Sequence, residues 1–206
     1  MSYLNGANLQ SPPNRIDATN IAERQKCQLL FVGTDWQQKG GDIAFETMLE
    51  LVKRGIDANL VVVGCTPPTS HERITIYPFL NKQIPDQLAT YQSLWRESAF
   101  LCQPTRGETF GAIYAEAAAS GLPAITTNTG GVADAVAQGQ SGFLLPMAAR
   151  GNAYADTIQS IWQDQDEYRQ LVISSRDRFD AVLNWNAWGD RIEHLINQFM
   201  SQKKLS

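Results

Sequence analysis

The chain has 206 residues, with 17 lysine and arginine side chains against 21 acidic ones and a pI near 5.2. This length can bury one good core and leaves room for one domain or slightly more. The acidic balance, without a basic tract, argues against a nucleic-acid-binding surface. The longest apolar runs, around residues 29–32 and 60–63, are far too short to span a bilayer, and residues 1–15 lack a signal-peptide pattern. We therefore expect a cytoplasmic domain without a transmembrane segment, and leave peripheral membrane contact open.

Three cysteines, Cys27, Cys65 and Cys102, are odd in number and lack C-x-x-C spacing. A disulfide framework needs paired cysteines, and a structural zinc site usually shows closely spaced ones. We therefore predict free thiols.

The first 26 residues are polar and include Pro12-Pro13, so we interpret residues 1–26 as a linker or extended arm with little core of its own. Residues 27–206 are predicted to form one domain. Its first strand covers 28–33, and a polar loop leads into a helix over 42–54. The apolar face predicted for this helix consists of Ile43, Phe45, Met48, Leu49 and Val52.

Short apolar runs continue to alternate with helical patterns along the chain. Further strands are predicted over 60–64, 74–77, 99–102, 123–127 and 143–146, and further helices over 83–98, 110–120 and from 151 onward. Strand, helix and strand in succession imply right-handed crossovers. The predicted fold class is α/β, a Rossmann-like, doubly wound, mainly parallel sheet of about six strands with helices on both faces, followed by C-terminal helices. Ligands of such sheets bind at the carboxyl ends of the strands.

Two glutamates, Glu108 and Glu116, stand near the start of the helix predicted over 110–120. If that helix begins near Thr109, their carboxylates lie about 80° apart around its axis and about 12 Å apart along it. The helix N-terminus between them would favour a phosphate. One acid for sugar hydroxyls and one for a ribose would suit a nucleotide sugar. Taken alone, the spacing is better explained by a Glu108 whose negative charge only complements the helix dipole than by a ligand site.

Four motifs around these glutamates change that interpretation. They are Glu108-Thr109-Phe110-Gly111, Glu116-Ala117, Gly121-Leu122-Pro123 and Gly130-Gly131. Their order and spacing resemble the signature of the group 1 retaining glycosyltransferases. Those enzymes have the GT-B architecture, two Rossmann-like domains facing a cleft, and the resemblance covers residues 29–199 in the C-terminal, donor-binding half. It implies that the acceptor-binding N-terminal domain is missing from this chain, and that the helix from about residue 184 crosses back toward it.

The resemblance also implies roles for individual residues in moving a hexose from a nucleoside diphosphate sugar to an acceptor. Glu108 would lie by the sugar ring and Lys39 would stabilise charge on the leaving diphosphate, which makes these two the candidate catalytic residues. Glu116 would hold the ribose. Sugar hydroxyls and phosphates would be held by Gly33, Thr34, Lys39 and the backbone of Thr109, Phe110 and Gly111. Helix ends and a lysine can do this electrostatic work, so we expect no metal and no other cofactor.

The chain departs from the family pattern in the loop after the first strand. Thr34 replaces the usual arginine, and Gln38 stands where some relatives carry a positive charge. Either the second positive charge is lost, or Arg106 supplies it from the neighbouring loop. The pair Gly130-Gly131 is expected to let the backbone approach an anion closely.

Phe79 and Leu80 occupy the turn that contacts the nucleotide base in the family, although packing into the core fits them about as well. A catalytic domain is the preferred interpretation, and the isolated chain is expected to be inactive without its partner domain. The alternative is a non-catalytic module that binds a nucleotide sugar. An NAD-binding domain is disfavoured because no G-x-G-x-x-G follows the first strand.

Overall fold

A computed structural model describes residues 7, 9, 11–22, 24–109 and 111–203 of the chain. Its strands are β1 (Cys27–Val32), β2 (Ala58–Val63), β3 (Ile74–Tyr77), β4 (Phe100–Gln103), β5 (Ala124–Thr127) and β6 (Gly142–Leu145). They form one parallel sheet in the order β3-β2-β1-β4-β5-β6. The predicted Rossmann-like α/β class is therefore confirmed.

Helices follow most of the strands. The described residues contain α1 (Arg15–Thr19), α2 (Gly41–Lys53), α3 (Pro85–Glu97), α4 (Ala112–Ala119), α5 (Val132–Ala135), α6 (Gly151–Gln163), α7 (Gln165–Val182) and α8 (Trp185–Lys203). No helix among them is long and apolar enough to cross a bilayer.

Apolar layers cover both faces of the sheet, because side chains of successive strand residues point to opposite sides. Leu29 and Phe31 of β1 pack in one layer with residues of α2, α6 and α7. Leu30 lies in the other layer, together with residues of α3 and α4. This two-sided burial explains why the central strands read as continuous apolar runs.

The apolar face predicted for α2 is partly wrong. Leu49 is 37% exposed, whereas Leu51 is fully buried. The reason is that α2 packs against α6 as well as the sheet, with Gly151 of α6 lying against the backbone of Glu46 and Thr47. The buried face therefore shifts to include Ala44, Thr47 and Leu51.

The N-terminal arm is not extended throughout, because α1 forms within it and buries Ala18. Arg24, which is 4% exposed, donates hydrogen bonds to the carbonyl groups of Ser120 (2.9 Å) and Gly121 (3.0 Å) at the end of α4. Residues 1–6, 8, 10 and 23 of the predicted arm lie outside the described residues. The boundary between arm and domain stays a prediction.

The three cysteines are free. Cys27 and Cys102 are buried in the sheet, and burial raises the pKa of Cys102 to about 12. Within the described part of the chain, no group of three or more histidine, cysteine or acidic side chains is arranged to hold a metal ion.

Candidate functional site

The candidate site lies where β1 and β4 end, at the point where the strand order reverses and where ligands of such sheets bind. The two strands pair at Leu29 with Phe100 and at Leu30 with Leu101. Beyond these pairs, the side chain of Gln103 donates from Nε2 to the Val32 carbonyl (2.9 Å) and accepts from the Val32 N–H at Oε1 (3.2 Å). A side chain thus replaces the backbone ladder at this point and links the two strand ends. The sequence analysis missed Gln103; its signal is a polar residue at the end of a buried apolar strand.

Lys39 and Glu108 meet beyond these strand ends. Lys39 lies in the turn after β1, where its N–H donates to the Asp35 carbonyl (3.0 Å). Its aliphatic stem passes over Gly33, so closely that a Cβ on that glycine would lie 2.8 Å from Lys39 Cγ. Lys39 Nζ lies 2.8 Å from Glu108 Oε2, with the two side chains 27% and 16% exposed. The structure therefore brings the two candidate catalytic residues together as a partly buried ion pair.

Glu108 is held in its ionised form. Partial burial would raise the pKa of its carboxyl group, but the Lys39 ammonium and the N–H groups of Thr109 and Gly111 outweigh that effect and bring the pKa below its usual value. The Thr109 N–H lies 3.0 Å from Glu108 Oε1. A carboxylate thus already engages backbone donors that the sequence analysis assigned to sugar and phosphate.

Helix α4 begins at Ala112, later than the predicted start near Thr109. Gly111 precedes it in the left-handed conformation with φ of 64°, which breaks the helical path. Glu108 therefore lies in a loop, and the angle and rise expected for a single helix do not apply to the two glutamates. Phe110 lies outside the described residues.

Gly130 and Gly131 close over the same loop. A Cβ on Gly130 would lie 2.0 Å from the Glu108 carbonyl oxygen, and one on Gly131 would lie 2.4 Å from that of Thr109. The Gly131 N–H donates to the Glu108 carbonyl (3.3 Å). The glycine pair approaches the backbone of the Glu108 loop, where the sequence analysis expected an anion.

Glu116 has a different environment, although it is on the helix that follows. It is 6% exposed, and the Tyr91 hydroxyl of α3 donates to its Oε2 (2.8 Å). Lys82 Nζ lies 4.0 Å from Oε1 and 4.1 Å from the centre of the Tyr91 ring. Burial raises the pKa of Glu116, while Lys82 and Tyr91 oppose that rise. Neither Tyr91 nor Lys82 was predicted at the site.

Comparison with known proteins identifies the family. Residues 26–164 match the family model described as "Glycosyl transferases group 1". The chain belongs to the group 1 glycosyltransferases. It is 27% identical over 189 residues to D-inositol 3-phosphate glycosyltransferase of Corynebacterium glutamicum, which covers 85% of this chain and 44% of that relative. The chain thus spans less than half the length of this relative.

Solved structures agree with this family. Sucrose-phosphate synthase from Thermosynechococcus elongatus superposes with a TM-score of 0.66 at 25% identity, covering 87% of this chain and 47% of that one. Anabaena HepE in complex with UDP and glucose gives a TM-score of 0.66 at 14% identity, covering 90% and 53%. At that identity the HepE likeness shows the fold.

The two residues predicted to contact the base of a glycosyltransferase donor behave differently. Phe79 is 75% exposed, in the loop between β3 and α3. Leu80 is half-buried against the second apolar layer. Core packing therefore accounts for Leu80, and Phe79 is left as the base candidate.

Arg106, considered in the sequence analysis as a second positive charge for the diphosphate, is paired with a carboxylate. Its guanidinium group donates to both carboxylate oxygens of Asp42, at 2.9 and 2.8 Å. Arg150 donates to the same carboxylate at 3.0 Å. Thr34 itself is exposed. Of the cations considered for the diphosphate, Lys39 is the one that lies beside Glu108.

Proposed function

We propose that this chain is the donor-binding, C-terminal half of a retaining glycosyltransferase that moves a hexose from a nucleoside diphosphate sugar to an acceptor. The observation that carries the proposal is the Lys39–Glu108 ion pair. It lies at the carboxyl edge of the sheet, at the strand-order reversal where nucleotides bind to such folds, and directly before the N-terminus of α4.

In this proposal the two charged side chains act on different parts of the donor. Lys39 stabilises the charge that develops on the leaving diphosphate. Glu108, ionised by its neighbours, accepts hydrogen bonds from sugar hydroxyls and does not serve as an acid. Gly33, Thr34 and the backbone from Thr109 to Gly111 surround the sugar and the phosphates.

Glu116 binds the ribose in this scheme. Its Oε2 already accepts the Tyr91 hydroxyl, whereas Oε1 has Lys82 at 4.0 Å, beyond ordinary hydrogen-bond length. Oε1 can therefore accept a ribose hydroxyl without displacing Tyr91. Neighbouring Lys82 compensates the buried negative charge.

Transfer requires a second domain that binds the acceptor. By the family resemblance, the leaving phosphate takes the acceptor's proton on the same face of the sugar, so this half needs no separate base. The chain's coverage of 44% of a curated relative is what a single domain of a two-domain enzyme would give.

A melting experiment tests donor binding. The purified chain is heated with UDP, GDP and ADP and with their glucose or mannose conjugates, each in large excess. Saturation near a hundredfold over the dissociation constant adds about 2.7 kcal/mol to the free energy of unfolding. In a domain of this size, the melting temperature should rise by about 5 to 10 °C.

Two variants accompany this measurement. Glu116→Ala should lose the shift, while Glu97→Ala, an exposed glutamate at the end of α3, should keep it. A shift that survives in Glu116→Ala would contradict the ribose assignment, and no shift with any nucleotide would contradict donor binding by this domain.

A second candidate is a module that binds a nucleotide sugar without chemistry. Thr34 in place of the arginine, together with the engagement of Arg106 by Asp42, favours it because the site then has less positive charge for a leaving diphosphate. Both candidates predict the melting shifts. Sugar transfer by a protein that contains this domain separates them.

A further inference from the structure

Arg106 joins the two loops that carry Lys39 and Glu108. Its backbone N–H donates to the Gln38 carbonyl (2.9 Å), and its guanidinium group donates to the Gln37 carbonyl. The two carbonyl groups that precede Lys39 are thus held by one residue, which stands two positions before Glu108. The hydroxyl of Thr105 adds a longer contact of 3.4 Å to the Gln38 carbonyl.

The Arg106 guanidinium is itself held in place by a carboxylate of α2. Asp42, in the first turn of α2, accepts its two N–H groups at 2.9 and 2.8 Å. Arg150 donates to the same carboxylate and also reaches Glu46, one turn further along α2. A planar guanidinium can serve a carboxylate with two donors and still donate to a carbonyl, whereas a lysine ammonium lacks this fork.

This arrangement argues against the simplest role for Arg106, contact with a diphosphate. Its charge is matched by Asp42, and one of its donors is taken by the Gln37 carbonyl. What the contacts do control is the separation between the turn after β1 and the loop after β4. The Lys39–Glu108 pair spans that separation.

We propose that Arg106 is a positioning residue that sets the distance between Lys39 and Glu108 by tying the Gln37–Gln38 carbonyls to the Asp42 carboxylate. The effect of Arg106 on the Lys39–Glu108 ion pair does not depend on the proposed function. Its consequence for the donor rests on the proposed function.

The test compares Arg106→Lys with Arg54→Lys in the full chain. Arg54 is a matched control because it pairs with Asp156 (2.7 Å) and donates to Gln159 (3.1 Å) at the opposite end of α2. Two quantities are measured, the pKa of the Glu108 carboxyl by carbon NMR titration and the dissociation constants of UDP, GDP and ADP by calorimetry.

The pKa of Glu108 depends on the distance between the two loops that carry Lys39 and Glu108. Among the described residues it faces the Lys39 ammonium and the N–H groups of Thr109 and Gly111. The charge of Glu108 also acts on the Tyr114 hydroxyl, but burial raises the pKa of that hydroxyl well above the range titrated. Burial raises the pKa of Glu108, so greater exposure would lower it, and a rise in that pKa therefore reports loss of the contact with Lys39.

In Arg106→Lys the loops should separate, so the pKa of Glu108 should rise toward its ordinary value. The nucleotide that binds the wild type should bind about tenfold more weakly. Arg54→Lys should change neither quantity. If Arg106→Lys does not fold, Asp42→Asn, which releases the guanidinium from the other side, should raise the pKa of Glu108 in the same way.

Two results would overturn the proposal. Weaker nucleotide binding with an unchanged pKa of Glu108 would mean that Arg106 contacts the ligand directly, and no change in either quantity would mean that it positions nothing. If the wild type binds none of the three nucleotides, the proposed function fails. The titration still decides whether Arg106 positions the ion pair.

Discussion

Glu108 and Glu116 are the same residue type eight positions apart, yet their surroundings move their pKa values in opposite directions. Lys39 and two backbone N–H groups lower the pKa of Glu108 against the effect of burial. Burial raises that of Glu116 against the effects of Lys82 and Tyr91. The sequence predicted both as site residues, but the difference depends on partners from the turn after β1 and from α3.

The raised pKa of Glu116 gives a prediction for stability. Because its folded pKa lies above the ordinary value of 4.5, the native state holds a proton that the unfolded chain has released. The free energy of unfolding should therefore fall as pH rises above about 4.5 and through the folded pKa. Glu116→Gln should lose this fall and be more stable than wild type at neutral pH, while it binds nucleotide less well.

Chemical denaturation at a series of pH values measures this effect, with Glu97→Gln as the exposed control. A Glu116→Gln variant less stable than wild type at neutral pH would contradict a raised pKa for Glu116. Glu108 acts with the opposite sign, since its lowered pKa adds stability that is lost as pH falls through the folded value.

At the scale of elements, the turn after β1 and the loop after β4 come into close backbone contact at Gly40 and Pro104. Gly40 adopts φ of 77°, and a Cβ there would lie 1.9 Å from the Pro104 carbonyl oxygen. Gly55, after α2, has a similar φ of 82° but no atom within 4 Å of an added Cβ. Gly40 therefore combines a left-handed backbone with a close contact, whereas Gly55 has the left-handed backbone alone.

Both Gly40→Ala and Gly55→Ala should cost about 1 to 2 kcal/mol for the left-handed backbone. Only Gly40→Ala must also push the loops apart, which should add about 1 to 3 kcal/mol and lower the melting temperature by a further 2 to 4 °C per kcal/mol, roughly. Thermal melting of the two variants side by side measures the difference. Equal destabilisation would show that the loops can separate at no cost.

The elements were predictable where one packing partner decides them. The bounds of β3, residues 74–77, agree with the sequence prediction, since β-branched and aromatic residues favour a strand and Pro78 follows directly. The buried face of α2 differs from the predicted one. The helical spacing of apolar residues does not reveal that α2 packs against α6 in addition to the sheet. The start of α4 was misplaced because the conformation of Gly111 depends on the loop that reaches Lys39.

At the scale of the whole molecule, the order of strands and helices was enough to predict the fold class. The family resemblance assigned Lys39 and Glu108 to one site, but the order of elements alone does not show that β1 and β4 are neighbours in the sheet. Gln103, Tyr91 and Lys82 could not be predicted, because their contacts depend on which strands and loops become neighbours.

A second concave surface lies between the N-terminal arm and α3. Its lining includes Leu9, Pro13, Gln92, Trp95 and Ser120. Tyr91 contributes to this surface and also donates to Glu116, so a ligand in either place would affect that tyrosine. Neither Lys39 nor Glu108 lines it, and ligand binding there would be a different function.

The most direct test of the donor site is a map of amide NMR shifts for this 22.8 kDa chain as UDP, GDP or ADP is added. The account predicts that one nucleotide perturbs the amides of Gly33, Lys39, Thr109, Gly111 and Glu116. Perturbations confined to the surface between the arm and α3, around Leu9 and Gln92, or no perturbation with any of the three, would contradict it.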